Sequence, residues 1–242
     1  LLKEKNVEKI YYDLEMPLLD VLVPMEIKGI SCDPSVLEQL DKTVIKKIGE
    51  IKNTVIALVG DQYASINLNS SNQVADLLFN HLQLTPKKKS GKSNAYSTDN
   101  DVLLELSKEH PIPSYIIQYR ELFKLKTTYI DALPASINKK TERIHTDYSQ
   151  IRVATGRLSS SNPNLQNIPV DRLGSTVRMA FKPDAGKIFV SADYSQIELR
   201  VLAYLSQDKN LLQTVVNPSE KITILIGPEG DFSSEEIKPC VI

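Results

Sequence analysis

Between Asp33 and Gly60 the apolar side chains Leu37, Leu40, Val44, Ile48, Ile51, Val55 and Leu58 recur every three or four residues. That spacing lays one apolar stripe along a helix. Asp33-Pro34 supplies an N-cap with proline at the first helical position, and Gly60 supplies a stop. Such a helix is roughly 40 Å long at about 1.5 Å per residue. Its length exceeds a small core and predicts a projecting, antiparallel helical arm. A second helix is expected from the Ser70-Ser71 cap, with Val74, Leu77, Leu78 and Leu82 inward. Further helices are expected over "DNDVLLELSKEH" and "SYIIQYRELFKLKTTYIDAL".

After Pro134 the pattern changes. "RIHTDYSQIRVATGRLSS" and "VRMAFKPDAGKIFVSAD" carry β-branched and aromatic residues in short runs between turn residues, which predicts strands. In the second run Ile188, Val190 and Ala192 share one face, and Phe189, Ser191 and Asp193 share the other. A helix follows over "SQIELRVLAYLSQD", with Ile197, Val201 and Leu205 inward and Leu202 on the flank. Asp193 is thus expected at a strand-to-helix junction. Ser195 and Glu198 have capping-box spacing, which explains both residues without any chemistry. The last run, "VNPSEKITILIGPEGDFSSEEI", predicts a strand, a glycine turn and a helix start, with Ser233 and Glu236 again at capping-box spacing. Helices first and strands afterwards place the chain in the α+β class.

Composition changes this picture little. The chain has 242 residues, 41% hydrophobic and 24% charged, and a formal net charge of -1. That balance suits one or two globular domains and gives no hint of a polyanionic partner. Locally, residues 115–160 hold Arg120, Lys124, Lys126, Lys139, Lys140, Arg143, Arg152 and Arg157 against Glu121, Asp131, Glu142 and Asp147. This excess of positive charge suits phosphate. The lysines of "TPKKKSGKSNAYST", Lys87, Lys88, Lys89 and Lys92, read instead as a solvated flexible tip. Cys32 and Cys240 lie far apart, and His81, His110 and His145 fit no metal-ligand spacing, so reduced structural thiols and a cytoplasmic setting are expected. No apolar run approaches the roughly 20 residues of a membrane span, and "LLKEKNVEK" has no signal-peptide core, so no membrane partner is expected.

Two phrases carry more. "TGRLSSSNPNLQNIP" and "DYSQIELR" resemble, without a gap, the family A DNA polymerases of the bacterial polymerase I type. The resemblance extends to "INLNSSNQVADLLF" and "YRELFKLKTTYIDALP", which look like the family's thumb, and to "EMPLLDVLVPMEIKGI", which looks like the entry from its exonuclease-like domain. It implies a helical thumb followed by an incomplete antiparallel β palm. The implied activity is template-directed DNA synthesis with two magnesium ions, on primer-template DNA and deoxynucleoside triphosphates, by a monomer. Asp193 and the Tyr194 carbonyl would then be metal ligands, as hard oxygens suit magnesium. Tyr194, Ser195, Gln196, Ile197 and Glu198 would line the incoming nucleotide, with Glu198 excluding a ribose 2′-hydroxyl.

By the same resemblance Arg157, Asn164, Gln166 and Asn167 would touch the primer-template near its growing end. Minor-groove acceptors are nearly uniform among correct pairs, so such contacts check geometry rather than sequence. Arg157 as a surface ion-pair partner and Asn164 as a turn former are the alternatives. Asn69, Ser70, Lys124, Lys126 and Thr128 match thumb positions expected to hold backbone phosphates. A solvated helix face is their alternative.

After "YLSQDKNLLQ" the family's fingers helix and its "HDE" hairpin do not follow. A lone Asp193 cannot hold two metals, so the expectation for this chain is weak, salt-sensitive duplex binding without polymerisation. A non-enzymatic DNA-binding fragment is a second reading. "KITILIGPEGDFSSEEI" resembles the cofactor segment of ribosomal RNA uridine methyltransferases of the knotted SPOUT class, which suggests an S-adenosylmethionine-dependent fusion as a third. The domains read as 1–13, a remnant or linker; 14–140, thumb; 141–213, partial palm; and 214–242, an unrelated tail.

Overall fold

The computed structural model describes residues 1–89, 96–194 and 196–215. Two compact units are present, Leu1–Phe181 and Lys182–Ile242. The first opens with α1 (Glu8–Ile10), α2 (Met16–Lys28), β1 (Ile30–Cys32), α3 (Pro34–Val59), α4 (Ser71–Ala75), α5 (Asn100–Leu106), α6 (Ile112–Leu125) and α7 (Ala132–Ala135). It continues through β2 (Ile137–Asn138), β3 (Arg143–Ile144), β4 (Asp147–Ser149), β5 (Ser159–Ser161) and α8 (Arg172–Arg178) to β6 (Phe181–Lys182), where the second unit starts. π-Helical turns join α1 to α2 over Tyr11–Glu15, extend α4 over Asp76–His81, and join α6 to α7 over Lys126–Ile130. The second unit holds α9 (Ile197–Ser206) and α10 (Lys209–Val215).

α3 starts and stops where its sequence predicts. The Asp33 carboxylate accepts from the Ser35 N–H at 3.0 Å, and Gly60 ends the helix at φ 98°. Leu37, Leu40, Val44, Ile51 and Val55 are buried, which at about 1.5–3 kcal/mol per side chain makes this stripe the backbone of the core. The last inward residue is Val59; Leu58 is half exposed, because the inward step from Val55 is four residues and not three. The helix does not project. Its buried positions run from the first turn to the last, covered by α6, α8 and the Lys126–Ile130 turn, since the chain after residue 110 folds back along it.

The second predicted helix forms as α4, with Ser70 Oγ accepting from the Gln73 N–H at 3.4 Å and Val74, Leu77 and Leu78 fully buried. The sheets are antiparallel, as expected for an α+β chain. β1 pairs with β3 (Ile30↔Ile144), β2 pairs with β3 (Ile137↔Ile144), and β4 pairs with β5 (Tyr148↔Ser160). The first sheet has the order β2-β3-β1-β6. It ties residues 137–144 back to 30–32 and so joins the segment after Pro134 to the helical part.

Several expectations are overturned. Val177 and Arg178, read as strand, are the end of α8, which is capped by Asp171 accepting from the Gly174 N–H at 2.7 Å. Among the described residues 188–192 form no continuous strand: Val190 makes only an isolated β-bridge, Ile188 and Val190 are largely exposed, and alternation without a sustained ladder does not make a strand. α9 forms, but Ile197, Val201, Leu202 and Leu205 are exposed and only Ala203 is buried. The capping-box expectation rests on Ser195 and so falls outside the described residues. The N-cap of α9 is Gln196 in the left-handed region at φ 51°, with no side-chain cap bond.

Lys87 is not part of a solvated tip. Its ammonium sits 2.7 Å from Glu109 and 3.8 Å from Glu105, and the Glu109 hydrogen bond raises its pKa. Lys92, Cys240 and the methyltransferase-like run with Ser233 and Glu236 lie outside the described residues. Cys32 is buried, and burial, with the Asp33 charge beside it, pushes its thiol up to about 11. That suits an inert structural thiol. No helix among the described residues is long and apolar enough to cross a membrane.

Candidate nucleic-acid interface

The loop before α4 is built by side chains bonding to nearby backbone. Asn67 Oδ1 accepts from the Asn69 N–H at 3.0 Å, and Gln73 Oε1 accepts from the Asn67 N–H at 2.8 Å. Half-buried Asn69 and Ser70 are therefore set in place by their own helix cap. The loop is also held from below. Arg120 Nε donates to the Leu68 carbonyl at 2.9 Å, while its Nη1 donates to the Thr98 carbonyl at 2.6 Å. Desolvation lowers the Arg120 pKa, and Asp99 partly offsets this.

Lys124 and Thr128 are exposed, on α6 and on the π-helical turn that follows it. Lys126 is different. Its ammonium lies 2.6 Å from Asp41 on α3 and 2.8 Å from Asp131, and hydrogen bonds to both carboxylates raise its pKa. Two carboxylates on one ammonium leave a net negative cluster, which disfavours phosphate. Lys126 thus ties the turn to α3. Arg120 and Arg143 are also engaged inside the fold, Arg143 donating to the Gly29 carbonyl at 3.0 Å. The positive excess of 115–160 is thus only partly available to a ligand.

The "SSSNPNLQN" phrase is organised around buried hydroxyls. Ser160 Oγ and Thr146 Oγ1 lie 2.7 Å apart, Ser160 Oγ accepts from the Leu165 N–H at 3.0 Å, and Thr146 donates to the Pro163 carbonyl at 2.7 Å. Asn164 Oδ1 accepts from the Gln166 N–H at 3.0 Å, so the turn-forming role of Asn164 is present. Arg157, Asn164, Gln166 and Asn167 are all exposed. The Tyr129 hydroxyl donates to the Asn167 carbonyl, which links this loop to the turn carrying Thr128. A groove of about 640 Å³ brings Lys124 and Asn167 onto one surface with Lys47, Glu50, Tyr115 and Asp171. Its lining mixes both charges, so no single-sign channel is formed there.

In the second unit Asp193 and Tyr194 are exposed in the segment before α9, and Glu198 stands in the first turn of that helix. Asp193 offers one hard oxygen ligand. No group of three acidic, histidine or cysteine side chains able to hold a metal occurs among the described residues. A two-metal centre therefore does not fit the described residues alone.

Residues 34–222 match DNA polymerase family A. The chain belongs to that family. DNA polymerase I of Chloroflexus aurantiacus is 46% identical over 213 residues, covering 86% of this chain and 22% of the relative. DNA polymerase I of Borreliella burgdorferi is 42% identical over 239 residues, covering 98% of this chain and 26% of the relative. The POL domain of Pol1 from M. smegmatis, solved in complex with DNA primer-template and dNTP, matches 92% of this family A chain and 38% of its own, at TM-score 0.82 and 35% identity. This chain thus spans about a quarter of the length of the polymerase I relatives. The family match extends past residue 214, and the methyltransferase resemblance of the tail finds no support.

Sequence reasoning missed Tyr129, Thr146, Ser160 and Arg178, which hold the candidate contact residues, and read Arg120 only as part of a basic stretch rather than as the support of the Leu68 carbonyl. Only the Asp171 cap before α8 left a visible signal, in "DRLG".

Proposed function

We propose that this chain is the part of a DNA-directed DNA polymerase that holds primer-template DNA and supplies the first catalytic carboxylate. Lys124, Thr128, Asn69 and Ser70 would take backbone phosphates, which orients the duplex without reading it. Arg157, Asn164, Gln166 and Asn167 would meet the minor groove at the terminal pair. Asp193 and the Tyr194 carbonyl would ligate magnesium, and Ser195, Gln196, Ile197 and Glu198 would line the deoxynucleoside triphosphate. A monomeric state, a cytoplasmic setting, and the thumb at 14–140 with the partial palm at 141–213 belong to the same reading.

The observation that carries it is the convergence of exposed Lys124 and Asn167 on one groove. These residues stand 43 positions apart in the sequence, yet both match family positions expected to face DNA.

The test is a fluorescence-anisotropy titration of the 242-residue chain with a labelled primer-template duplex, paired with a primer-extension assay in magnesium. Saturable, salt-sensitive binding without extension is expected, and Asp193→Ala should leave the affinity unchanged. Extension by this chain, abolished in Asp193→Ala, would show that the carboxylate acts without a second one. Absence of binding would remove the reading.

A further inference from the structure

Loops without a strand ladder must satisfy their carbonyls from elsewhere. Three successive carbonyls after the Asn164 turn are taken by two side chains from different elements. Tyr129, buried on the Lys126–Ile130 turn, donates its hydroxyl to the Asn167 carbonyl. Arg178, at the end of α8, donates Nη2 to the Ile168 carbonyl at 2.9 Å and Nε to the Pro169 carbonyl at 3.3 Å. The close approach of α8 has a cause in the sequence: Gly174 carries no Cβ, and one placed there would overlap the Pro169 carbonyl. On the other side the loop rests on the Thr146–Ser160 hydroxyl pair. Burial raises the pKa of Tyr129, so its hydroxyl stays a donor at neutral pH.

We propose that Tyr129 and Arg178 are positioning residues that fix residues 167–169, and through them the side chains of Gln166 and Asn167, at the minor groove of the terminal base pair. The inference rests on the DNA reading above. It adds a division of labour: the residues ahead of the loop touch DNA, while two residues bonded to the loop's backbone carbonyls decide how strictly the pair is checked. Tyr129 also couples that check to the phosphate grip, since its turn carries Thr128 and follows Lys124. Contacts of this kind tolerate little displacement, because a misplaced donor loses its hydrogen bond to the correct pair as readily as to a wrong one.

The experiment uses the whole 242-residue chain with Tyr129→Phe and Arg178→Lys, which delete or shorten donors while keeping most of the side-chain volume. Two readouts are taken. Amide hydrogen exchange without DNA should quicken at least several-fold in 165–170, with α3 and α6 unchanged. Affinity for duplexes with matched and mismatched primer termini should show a matched preference in the wild type that falls several-fold in each variant, at an unchanged salt slope. In an Asn167→Ala background Tyr129→Phe should have little further effect on that preference.

A merely structural role would lower Tm and leave the preference intact, and that result overturns the inference, as does unchanged exchange in 165–170. A wild type that binds duplex with no matched preference also overturns it while sparing the DNA reading. A wild type that binds no duplex overturns the DNA reading itself and is recognised from the first titration.

Discussion

Replacing Arg120 with methionine keeps the apolar stem of the side chain and removes a guanidinium that donates to the Leu68 carbonyl, the Thr98 carbonyl and, at 3.3 Å, the Thr98 hydroxyl. Leu68 is fully buried and Thr98 is 3% exposed, so water cannot readily take over either carbonyl. A buried acceptor left without its donor costs about 1–3 kcal/mol, which gives about 2–6 kcal/mol for two. Relief of the desolvation that lowers the Arg120 pKa offsets part of this. We expect a net loss of about 3 kcal/mol, read as a lower urea midpoint at an unchanged m-value. Arg120→Lys should recover little, because one ammonium cannot span both carbonyls in the geometry of the fork. The Leu68 carbonyl is one residue from Asn69, so the variant should also weaken duplex binding in conditions where it remains folded. A loss below about 1 kcal/mol would refute the view that these bonds hold the loop.

Lys124→Ala should lower the slope of log K against log salt by about 1, as one phosphate contact is lost. Lys126→Met should leave that slope unchanged and reduce stability, because Lys126 serves Asp41 and Asp131 rather than DNA; a slope change equal to that of Lys124→Ala would contradict this. Cys32 has its folded pKa raised from 9.0 to about 11, so its contribution is complete below pH 9 and is lost as pH rises towards 11. Two pKa units correspond to about 2–3 kcal/mol. The stability difference between wild type and Cys32→Ala should therefore shrink over that window, and a pH-independent difference would refute the assignment. Gly174→Ala should destabilise by about 1–3 kcal/mol or more through overlap with the Pro169 carbonyl, and an unchanged thermal midpoint would show that α8 can retreat at no cost.

α3 was legible because every local signal agrees: an Asp-Pro start, a 3.6-residue stripe and a glycine stop. β1 was not, since three residues are too few to show alternation. α9 was legible as a helix but not in its burial, because periodicity marks which face is apolar and says nothing about what lies against it. The same limit holds at the candidate site. The candidate contact residues could be named from the phrases that resemble the family. Their supports could not, because a guanidinium or hydroxyl that bonds to a distant carbonyl leaves no pattern along the chain. Lys126 shows this most directly: its partner Asp41 is 85 residues away, and only the fold brings them together.

We propose that this family A chain holds primer-template DNA through phosphate contacts from its helical part. The affinity of the 242-residue chain for a labelled primer-template duplex, taken across a salt series, decides this. Saturable binding should weaken linearly in log-log form, with a slope of about -0.9 per phosphate contacted and a magnitude of a few contacts. A duplex that fails to bind at about 50 mM salt, or binds with no salt dependence, would contradict it.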